Sequence, residues 1–336
     1  GILWVGTANG LYQLDEINDS LIPVKTDPEI PGWLNSFDCM LEDRNGRLWF
    51  GTLWGIFIYD RSNNNWEHIV TTNPDKPDSD IDTKINCMIE YHSDKKHQVW
   101  IGTRAGLKVY DMLSGELFHI TPKNGYPEIT NAGTVQYLYL DEHDILWASL
   151  AGVTLIDLKG NDFEIQRVMS YPDSLYDERA YCFYEDEEGN IWVGTEKNGA
   201  YVFDQNLNFI ENHKASSWTP NESNTTYNNM VWRIYKDPYD RLWMSTGPTC
   251  IGVFDTEVDT FHAIDVNVGS YTPGRLIIDP YDVAWLTAHD GLHKGTMEGD
   301  FDLKVSLYDN PTLPQTPIDR ILYDSHDRLW LITRSS

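Results

Sequence analysis

The segment GNIWVGTEKNGAYVFD, residues 189–204, contains two mostly apolar stretches separated by a glycine-containing turn. This pattern predicts two antiparallel strands joined by a tight turn. Nearly the same phrase occurs at residues 46–60, GRLWFGTLWGIFIYD, and at residues 99–111, VWIGTRAGLKVYD. A hairpin that recurs along a chain indicates a repeat architecture, so the period of the repeat decides the fold.

Tryptophan marks this period. A period in the forties with only strand-like segments is typical of β-propeller blades, which have about four strands each. Seven intervals between eight tryptophans predict an all-β protein, a seven-bladed β-propeller that occupies residues 1–336 as a single domain. The tryptophans recur at intervals of 42 to 51 residues, at Trp4, Trp49, Trp100, Trp147, Trp192, Trp243, Trp285 and Trp330.

Each repeat is predicted to contain four antiparallel strands, named A to D in chain order, with the tryptophan on strand B. The N-terminal segments LWVGT, GLYQLD and LIPVKT would supply strands B, C and D of one blade. DRILYD, residues 319–324, would supply its strand A and close the ring without free sheet edges. RLWLIT, residues 328–333, repeats strand B, so residues 328–336 are either a redundant strand or the start of a following domain.

The composition excludes several classes of function. Hydrophobic residues make up 41% of the 336 residues, which is enough for a packed core. The formal net charge of −27 disfavours nucleic acid and anionic lipid as partners. No apolar run approaches the roughly 18 residues that a membrane-spanning helix needs. The chain opens in the strand-like GILWVGT, and we expect it to be a mature or trimmed fragment.

The recurring Asp and Cys residues are interpreted as structural. An Asp in nearly every A–B turn can accept hydrogen bonds from its own backbone, and the repeated tryptophan is expected to pack between blades. Cys39, Cys87 and Cys182 fall at one repeat position, which favours small core residues over disulfides or a zinc site. No metal and no cofactor is predicted. The turn residues are Asp43, Asp141, Asp186, Asp237, Asp279 and Asp324.

The pattern hxxDxxGxhWhGTxxGhxxaD, in which h is apolar and a is aromatic, resembles the two-component regulator propeller repeat. The resemblance extends over essentially the whole chain and is strongest in NIWVGTEKNGAYVFD, RLWFGTLWGIFIYD and VWIGTRAGLKVYD. It is weakest in RLWMSTGPTCIGVFD and VAWLTAHDGLHKG, which lose the Gly-Thr pair.

This resemblance implies a sensor rather than an enzyme. In that family, two propellers and a β-sandwich form the periplasmic part of an inner-membrane hybrid two-component system, best known from Bacteroidetes. The histidine kinase lies beyond the membrane helix, and the ligands are oligosaccharides released from polysaccharides. The expected partners are therefore an oligosaccharide, a second propeller and a β-sandwich of the same protein. Dimerisation would occur through domains absent from this chain.

A ligand site is predicted where strand A begins and where the B–C turns lie. One aligned position reads Cys39, Cys87, Tyr137, Cys182, Arg233, Arg275 and Arg320. Three arginines in successive repeats of an acidic chain suggest a cradle for a carboxylate or sulfate. Pairing with neighbouring carboxylates such as Asp38 or Asp319 is the structural alternative.

The B–C turns supply further candidates. Trp54 could stack on a sugar or cover the channel, and Arg104, Glu196 and His289 lie in equivalent turns. Tyr181 and Trp232 are interpreted as packing between blades. The predicted ligand-binding residues are Arg233, Arg275, Arg320, Trp54, Arg104, His289 and Tyr137, and no catalytic residue is predicted.

Two alternatives to a sensor stay open. The first is a plain protein-interaction scaffold, because a fold alone does not decide function. The second is a propeller enzyme. A sialidase would hold a carboxylate with three arginines, but the turn here differs from the sialidase box, whereas a lyase would use His289 as its base.

Overall fold

In a computed structural model of the chain, the tryptophan segments lie in antiparallel sheets, and each described four-stranded sheet has its tryptophan segment as the second strand. None of the described segments is a helix with the length and apolarity needed to span a bilayer. The structure describes residues 4–7, 10–15, 20–23, 39–53, 55–71, 84–120, 133–150, 152–159, 164–167, 179–214, 229–246, 250–255, 260–265, 276–288, 291–297, 303–308, 318–323 and 329–333.

The chain divides into two compact units, Gly1–Arg179 and Ala180–Ser336. The first unit contains a three-stranded sheet and three four-stranded sheets, each with its strands in chain order. Its strands are β1 Trp4–Thr7, β2 Gly10–Asp15, β3 Ser20–Pro23, β4 Cys39–Glu42, β5 Leu48–Thr52, β6 Gly55–Asp60, β7 Asn65–Ile69, β8 Ile85–His92, β9 His97–Thr103, β10 Gly106–Asp111, β11 Glu116–Ile120, β12 Leu138–Leu140, β13 Ile145–Ala148, β14 Thr154–Asp157 and β15 Glu164–Arg167.

The second unit contains three four-stranded sheets and a final pair of strands. Its strands are β16 Ala180–Glu185, β17 Ile191–Thr195, β18 Ala200–Phe203, β19 Phe209–His213, β20 Val231–Lys236, β21 Leu242–Thr246, β22 Cys250–Asp255, β23 Thr260–Asp265, β24 Leu276–Ile278, β25 Val283–Ala288, β26 Gly291–Met297, β27 Leu303–Leu307, β28 Ile318–Tyr323 and β29 Leu329–Thr333.

The predicted four-strand repeat is confirmed in both units, because each complete sheet runs A-B-C-D with antiparallel neighbours. The N-terminal segments predicted as strands B, C and D of one blade pair in that order, as β1-β2-β3. At the C-terminus, strand A of the last repeat, β28, pairs with RLWLIT, which is β29. The seven-blade count, the closure of the ring and the single-domain boundary stay predictions.

The hydrophobic cores lie between successive sheets. In the first unit, Trp49 of β5 clusters with Val99 and Ile101 of β9 in the next sheet. In the second unit, Trp192 of β17 clusters with Val231 of β20 and Met244 of β21. Strand A of one sheet also contacts strand A of the next, as in the pairs β4–β8 and β16–β20. Each unit therefore stacks its sheets as propeller blades do.

The A–B turn Asp binds both its own turn and the tryptophan of its repeat. In Asp141, one carboxylate oxygen accepts the backbone N–H groups of His143 and Ile145, each at 2.9 Å. The other oxygen accepts the indole N–H of Trp147 at 2.8 Å. The structural interpretation is confirmed for the five described turn residues, and the indole bond adds to it, whereas Asp324 lies outside the described residues. The same indole bond joins Asp43 to Trp49, Asp186 to Trp192, Asp237 to Trp243 and Asp279 to Trp285.

The sheet β8-β11 is built differently at this turn. Trp100 pairs across the strands with Ile89, eleven positions earlier, whereas Trp49 pairs with Leu41, eight positions earlier. The position that holds Asp in the other described turns is therefore Tyr91, which is 3% exposed. A longer β8–β9 hairpin explains why this repeat is absent from the series of turn Asp residues.

Candidate functional site

The predicted aligned position lies at one end of the sheets. Strand A begins where strand B ends, so its first residues share that end with the B–C turn. Cross-strand pairing confirms the alignment, because the aligned residue always faces the residue two places after the tryptophan. The pairs are Cys39 with Gly51, Cys87 with Gly102, Cys182 with Gly194, Arg233 with Ser245, and Arg320 with Ile332.

The glycine opposite each cysteine makes room for the thiol. A Cβ atom on Gly51, Gly102 or Gly194 would lie 2.4–2.5 Å from the facing sulfur, a distance that real Cβ atoms do not tolerate. Where Arg233 replaces the cysteine, the facing residue is Ser245. Three repeats therefore have a packed Cys–Gly pair at this end, whereas Arg233 faces Ser245 and Arg320 faces Ile332.

The threonine of the Gly-Thr pair shapes the B–C turn. Thr52, Thr103 and Thr195 each donate a side-chain hydrogen bond to the carbonyl of the glycine that ends the turn, at 2.8–2.9 Å. This bond fixes the ends of the turn and leaves the residues between them free to vary. Arg104 and Glu196 occupy such variable positions.

Arg104 lies exposed in the turn between β9 and β10. Its backbone N–H donates to the carbonyl of Lys84 at 3.2 Å, and its carbonyl accepts the Thr134 hydroxyl at 3.2 Å. The backbone of Arg104 is therefore anchored on both sides while its guanidinium faces solvent. This position suits a side chain that meets a ligand.

Tyr137 is partly buried and directly precedes β12. Its backbone N–H donates to the Ser149 hydroxyl at 3.0 Å, and its carbonyl accepts the Ser149 N–H at 3.2 Å. Two residues earlier, the Val135 N–H donates to the carbonyl of Thr103 at 2.9 Å. The segment that carries Tyr137 therefore adjoins the turn that carries Arg104, within the first unit.

Arg233 lies in the second unit, near the start of β20, and is partly buried. Tyr181 stacks on Trp232, the residue before Arg233, with ring centroids 4.4 Å apart. The packing interpretation of these two rings is confirmed, since they belong to adjacent sheets. The Tyr181 hydroxyl also donates to a carboxylate oxygen of Glu196 at 3.2 Å. Sequence reasoning missed this bond, although both rings directly precede the aligned position.

Four predicted site residues have no described side chain. Trp54, Arg275 and His289 lie outside the described residues. Arg320 lies in β28, where its backbone pairs with Ile332. Their roles as ligand contacts stay predictions.

The three described cysteines are free thiols that pack in the cores. Burial raises the pKa of the Cys182 thiol to about 12, and burial likewise raises the pKa of Cys87 well above its usual value. Reactive cysteines have depressed rather than raised pKa values. The interpretation of these residues as core side chains is confirmed. Within the described residues, no group of three His, Cys, Asp or Glu side chains is arranged to hold a metal ion.

Two segments match the two component regulator propeller family, residues 33–54 and 177–197. Each contains the end of a D–A connection, strand A, the Asp turn and strand B. These segments carry the two component regulator propeller repeat, which confirms the resemblance inferred from the residues. A search of the curated proteins finds no match.

Solved structures with similar folds belong to several kinds of protein. The extracellular domain of a hybrid two component system from B. thetaiotaomicron has 18% identity and a TM-score of 0.43, over 100% of this chain and 51% of that chain. Virginiamycin B lyase from Staphylococcus aureus has 11% identity and a TM-score of 0.56, over 88% and 90%. The β-propeller domain of Cps50 (Swd1) from Myceliophteria thermophila has 11% identity and a TM-score of 0.53, over 85% and 89%.

The latter two structures establish a β-propeller fold for this chain and do not decide its function. The chain spans about half the length of the B. thetaiotaomicron domains.

Proposed function

We propose that this chain belongs to the extracytoplasmic sensor region of a hybrid two-component system and binds an oligosaccharide. The match of residues 33–54 and 177–197 to the two component regulator propeller carries the proposal. The arginines at the strand-A position favour an acidic sugar, because a guanidinium pairs bidentately with a carboxylate or sulfate. Binding would regulate genes for the use of the corresponding polysaccharide.

We also propose how the chain is placed in the full-length protein. The seven predicted blades close into one ring, and the domain lies in the periplasm. A second propeller and a β-sandwich of the same protein adjoin it, and the histidine kinase lies outside this chain. The chain itself acts as a binding domain and not as an enzyme.

The ligand is expected at the end of the sheets that carries the B–C turns. Here Arg104 is exposed and Arg233 is partly buried, in a chain whose formal net charge is −27. At the opposite end, the Asp carboxylates are occupied by their own turns and by tryptophan. In each unit, the B–C end of the sheets therefore offers a positively charged residue and variable turns.

Thermal unfolding tests this proposal directly. The purified chain is heated with neutral, uronic and sulfated oligosaccharides at fixed salt. A ligand that binds only the folded state stabilises it by about 2.7 kcal/mol at one hundred times its dissociation constant. We expect a rise in the unfolding midpoint with acidic sugars, and a loss of this rise in Arg233→Ala.

Arg44→Ala is the matched control, because it removes an exposed arginine from an A–B turn. It should keep the full response to the sugar. An equal response of Arg233→Ala and wild type would exclude Arg233 as a contact. The absence of any shift with every sugar would contradict binding by this chain alone.

A protein-interaction scaffold is the second candidate, and one observation favours it. Tyr239 and Tyr281 occupy the same place in two successive A–B turns of sequence Asp-Pro-Tyr-Asp and are 44% and 67% exposed. Exposed tyrosines are enriched at protein interfaces. A partner captured by wild type and lost in Tyr281→Ser, with no response to any sugar, would support the scaffold.

The enzyme alternatives make a separate prediction. A sialidase or a lyase that uses His289 would convert the sugar that stabilises it. Chromatography of each stabilising oligosaccharide after prolonged incubation should recover the sugar unchanged. Appearance of a cleaved or unsaturated product would replace the sensor proposal with catalysis.

A further inference from the structure

Two adjacent sheets of the second unit carry the same irregularity at the B–C end. In β16, Ala180 pairs with Thr195 and Cys182 pairs with Gly194, so Tyr181 is an extra residue in the register of the two strands. In β20, Val231 pairs with Thr246 and Arg233 pairs with Ser245, so Trp232 is the extra residue. Such β-bulges redirect side chains and are over-represented next to active sites.

The two redirected side chains meet each other. The rings of Tyr181 and Trp232 lie 4.4 Å apart with a tilt of 31°. Both side chains are only partly buried, so part of each aromatic surface stays accessible. A partly accessible pair of packed aromatic rings presents an apolar surface with polar groups at its edge.

The polar groups at this edge include a donor without an acceptor. The Tyr181 hydroxyl donates to Glu196, whose partly buried carboxylate has further acceptor capacity. The Trp232 indole N–H is covered by protein and meets no acceptor in the described structure. A buried unsatisfied donor costs about 1–3 kcal/mol, so such groups call for an explanation. A ligand oxygen could supply the acceptor after a small rotation of the indole.

The strand that carries Trp232 also carries a positively charged residue, Arg233. Burial raises the pKa of the Cys182 thiol to about 12, and the charge of Arg233 acts on this thiol in the opposite direction. Cys182 directly follows Tyr181 and Arg233 directly follows Trp232. The Cys182 thiol also donates to the Val231 carbonyl at 4.0 Å, so the first residues of β16 and β20, Arg233 among them, lie close together.

The same bulge in the first unit has a purely structural role. Ile85 pairs with Thr103 and Cys87 pairs with Gly102, which makes Asn86 the extra residue. Its side-chain amide donates to the carbonyl of Val135 at 2.9 Å and so joins two sheets. A short amide is sufficient to hold the bulge there. Packing of the bulge therefore does not by itself require two large aromatic rings in the second unit.

We propose that Tyr181 and Trp232 form a stacking platform for one hexuronate ring of an oligosaccharide, with Glu196 and Arg233 as its polar contacts. The apolar face of the pyranose lies on the aromatic surface. A sugar hydroxyl donates to Glu196, a ring or hydroxyl oxygen accepts from the indole, and the uronate carboxylate pairs with Arg233. This inference rests on the proposed function and identifies the subsite and the sugar class.

Isothermal titration of the whole chain with tetragalacturonate, and with neutral galactotetraose for comparison, tests the platform. Wild type should bind tetragalacturonate more tightly than galactotetraose. Trp232→Leu should weaken the binding of tetragalacturonate at least tenfold. Arg233→Gln should abolish the preference for the uronate. Asn86→Ala, at the structural bulge, is the control and should bind as wild type does.

Tyr181→Phe provides a second test of the platform if Trp232→Leu fails to fold. It removes only the hydroxyl that reaches Glu196, so it keeps the stacked rings, and we expect it to weaken binding about fivefold. Full affinity in a folded Trp232→Leu or in Tyr181→Phe would overturn the platform and leave the sensor proposal standing. Tighter binding of galactotetraose would overturn the hexuronate assignment. Failure of wild type to bind any oligosaccharide would overturn both.

Discussion

The two ends of the sheets are built on different principles. At the A–B end, five described repeats place one carboxylate in the same way, between the backbone of its turn and the indole of its tryptophan. At the B–C end, the position that begins strand A holds Cys, Tyr or Arg, and its cross-strand partner changes with it. The comparison indicates that one end maintains the fold and that the other can vary without loss of the core.

Contacts between sheets strengthen the A–B end. Glu90 accepts the backbone N–H of Arg44 from the preceding sheet at 3.0 Å, and Lys236 pairs with Glu187 of the preceding sheet at 2.7 Å. The Tyr239 hydroxyl donates to the carbonyl of Pro280 in the next sheet at 2.9 Å. A ligand at this end would have to compete with these bonds.

The largest expected effect comes from the carboxylate at the A–B end. Asp186→Ala should lower the free energy of unfolding by about 2–3 kcal/mol, because it leaves the buried Trp192 indole N–H without an acceptor. Urea unfolding monitored by tryptophan fluorescence measures the loss.

Asp204→Ala is the matched control in the same sheet. Asp186 accepts from the backbone N–H groups of Glu188 and Asn190 and from the Asn190 side chain. Asp204 accepts in the same pattern from the backbone N–H groups of Asn206 and Asn208 and from the Asn208 side chain. It lies in an exposed C–D turn and does not bind the tryptophan indole. The control should lose clearly less stability. Equal losses would show that the turn, and not the tryptophan, depends on the carboxylate.

The second effect tests packing at the B–C end. Gly102→Ala places a Cβ 2.4 Å from the Cys87 sulfur and 2.7 Å from a Val135 methyl group. Overpacking of this kind costs about 1–3 kcal/mol, which thermal and urea unfolding measure. Adding Cys87→Ala removes the closest atom and should recover part of the stability. No recovery would mean that Val135 alone limits the space.

A smaller effect is expected at the turn threonine. Thr195→Val removes the buried hydrogen bond from the threonine hydroxyl to the Gly199 carbonyl, which measures 2.8 Å. We expect a loss of about 1 kcal/mol in urea unfolding. Thr195→Ser keeps the hydroxyl and serves as the control. A Val variant as stable as wild type would show that the Gly-Thr pair is not needed to shape the B–C turn.

The smallest effect concerns acid stability. Hydrogen bonds from the Asn208 side chain and backbone lower the pKa of Asp204 below its usual value. Its contribution to stability is therefore present above the unfolded pKa and is lost as pH falls through the folded pKa. Below about pH 4, the free energy of unfolding should fall less steeply in Asp204→Asn than in wild type. Urea unfolding at a series of pH values measures this difference. Parallel pH profiles of the two proteins would contradict this.

Local sequence patterns determined the repeat. The Asp that begins the A–B turn and the tryptophan that donates its indole N–H to it are six residues apart, so their hydrogen bond recurs wherever the spacing recurs. Strand boundaries and the glycine turns follow from alternation and turn chemistry over similarly short distances. These features were predictable because each depends on residues close in sequence.

The alignment of the candidate site was also predictable in most repeats, since Cys39, Cys182 and Arg233 each lie ten residues before the tryptophan of their repeat. The different A–B turn of the sheet β8-β11 could not be predicted from the sequence alone. There the longer hairpin puts Tyr91 where other repeats have Asp, although Asp94 lies nearby in the sequence.

The sequence by itself therefore determined the all-β repeat, its tryptophan cores and the end of each sheet where variable residues gather. Only the tertiary structure decided which of those residues meet. Tyr181 and Trp232 come together because two successive sheets pack with both bulges at the same end. The physical reason is that spacing along a chain fixes contacts within a hairpin, whereas contacts between sheets depend on how their faces pack.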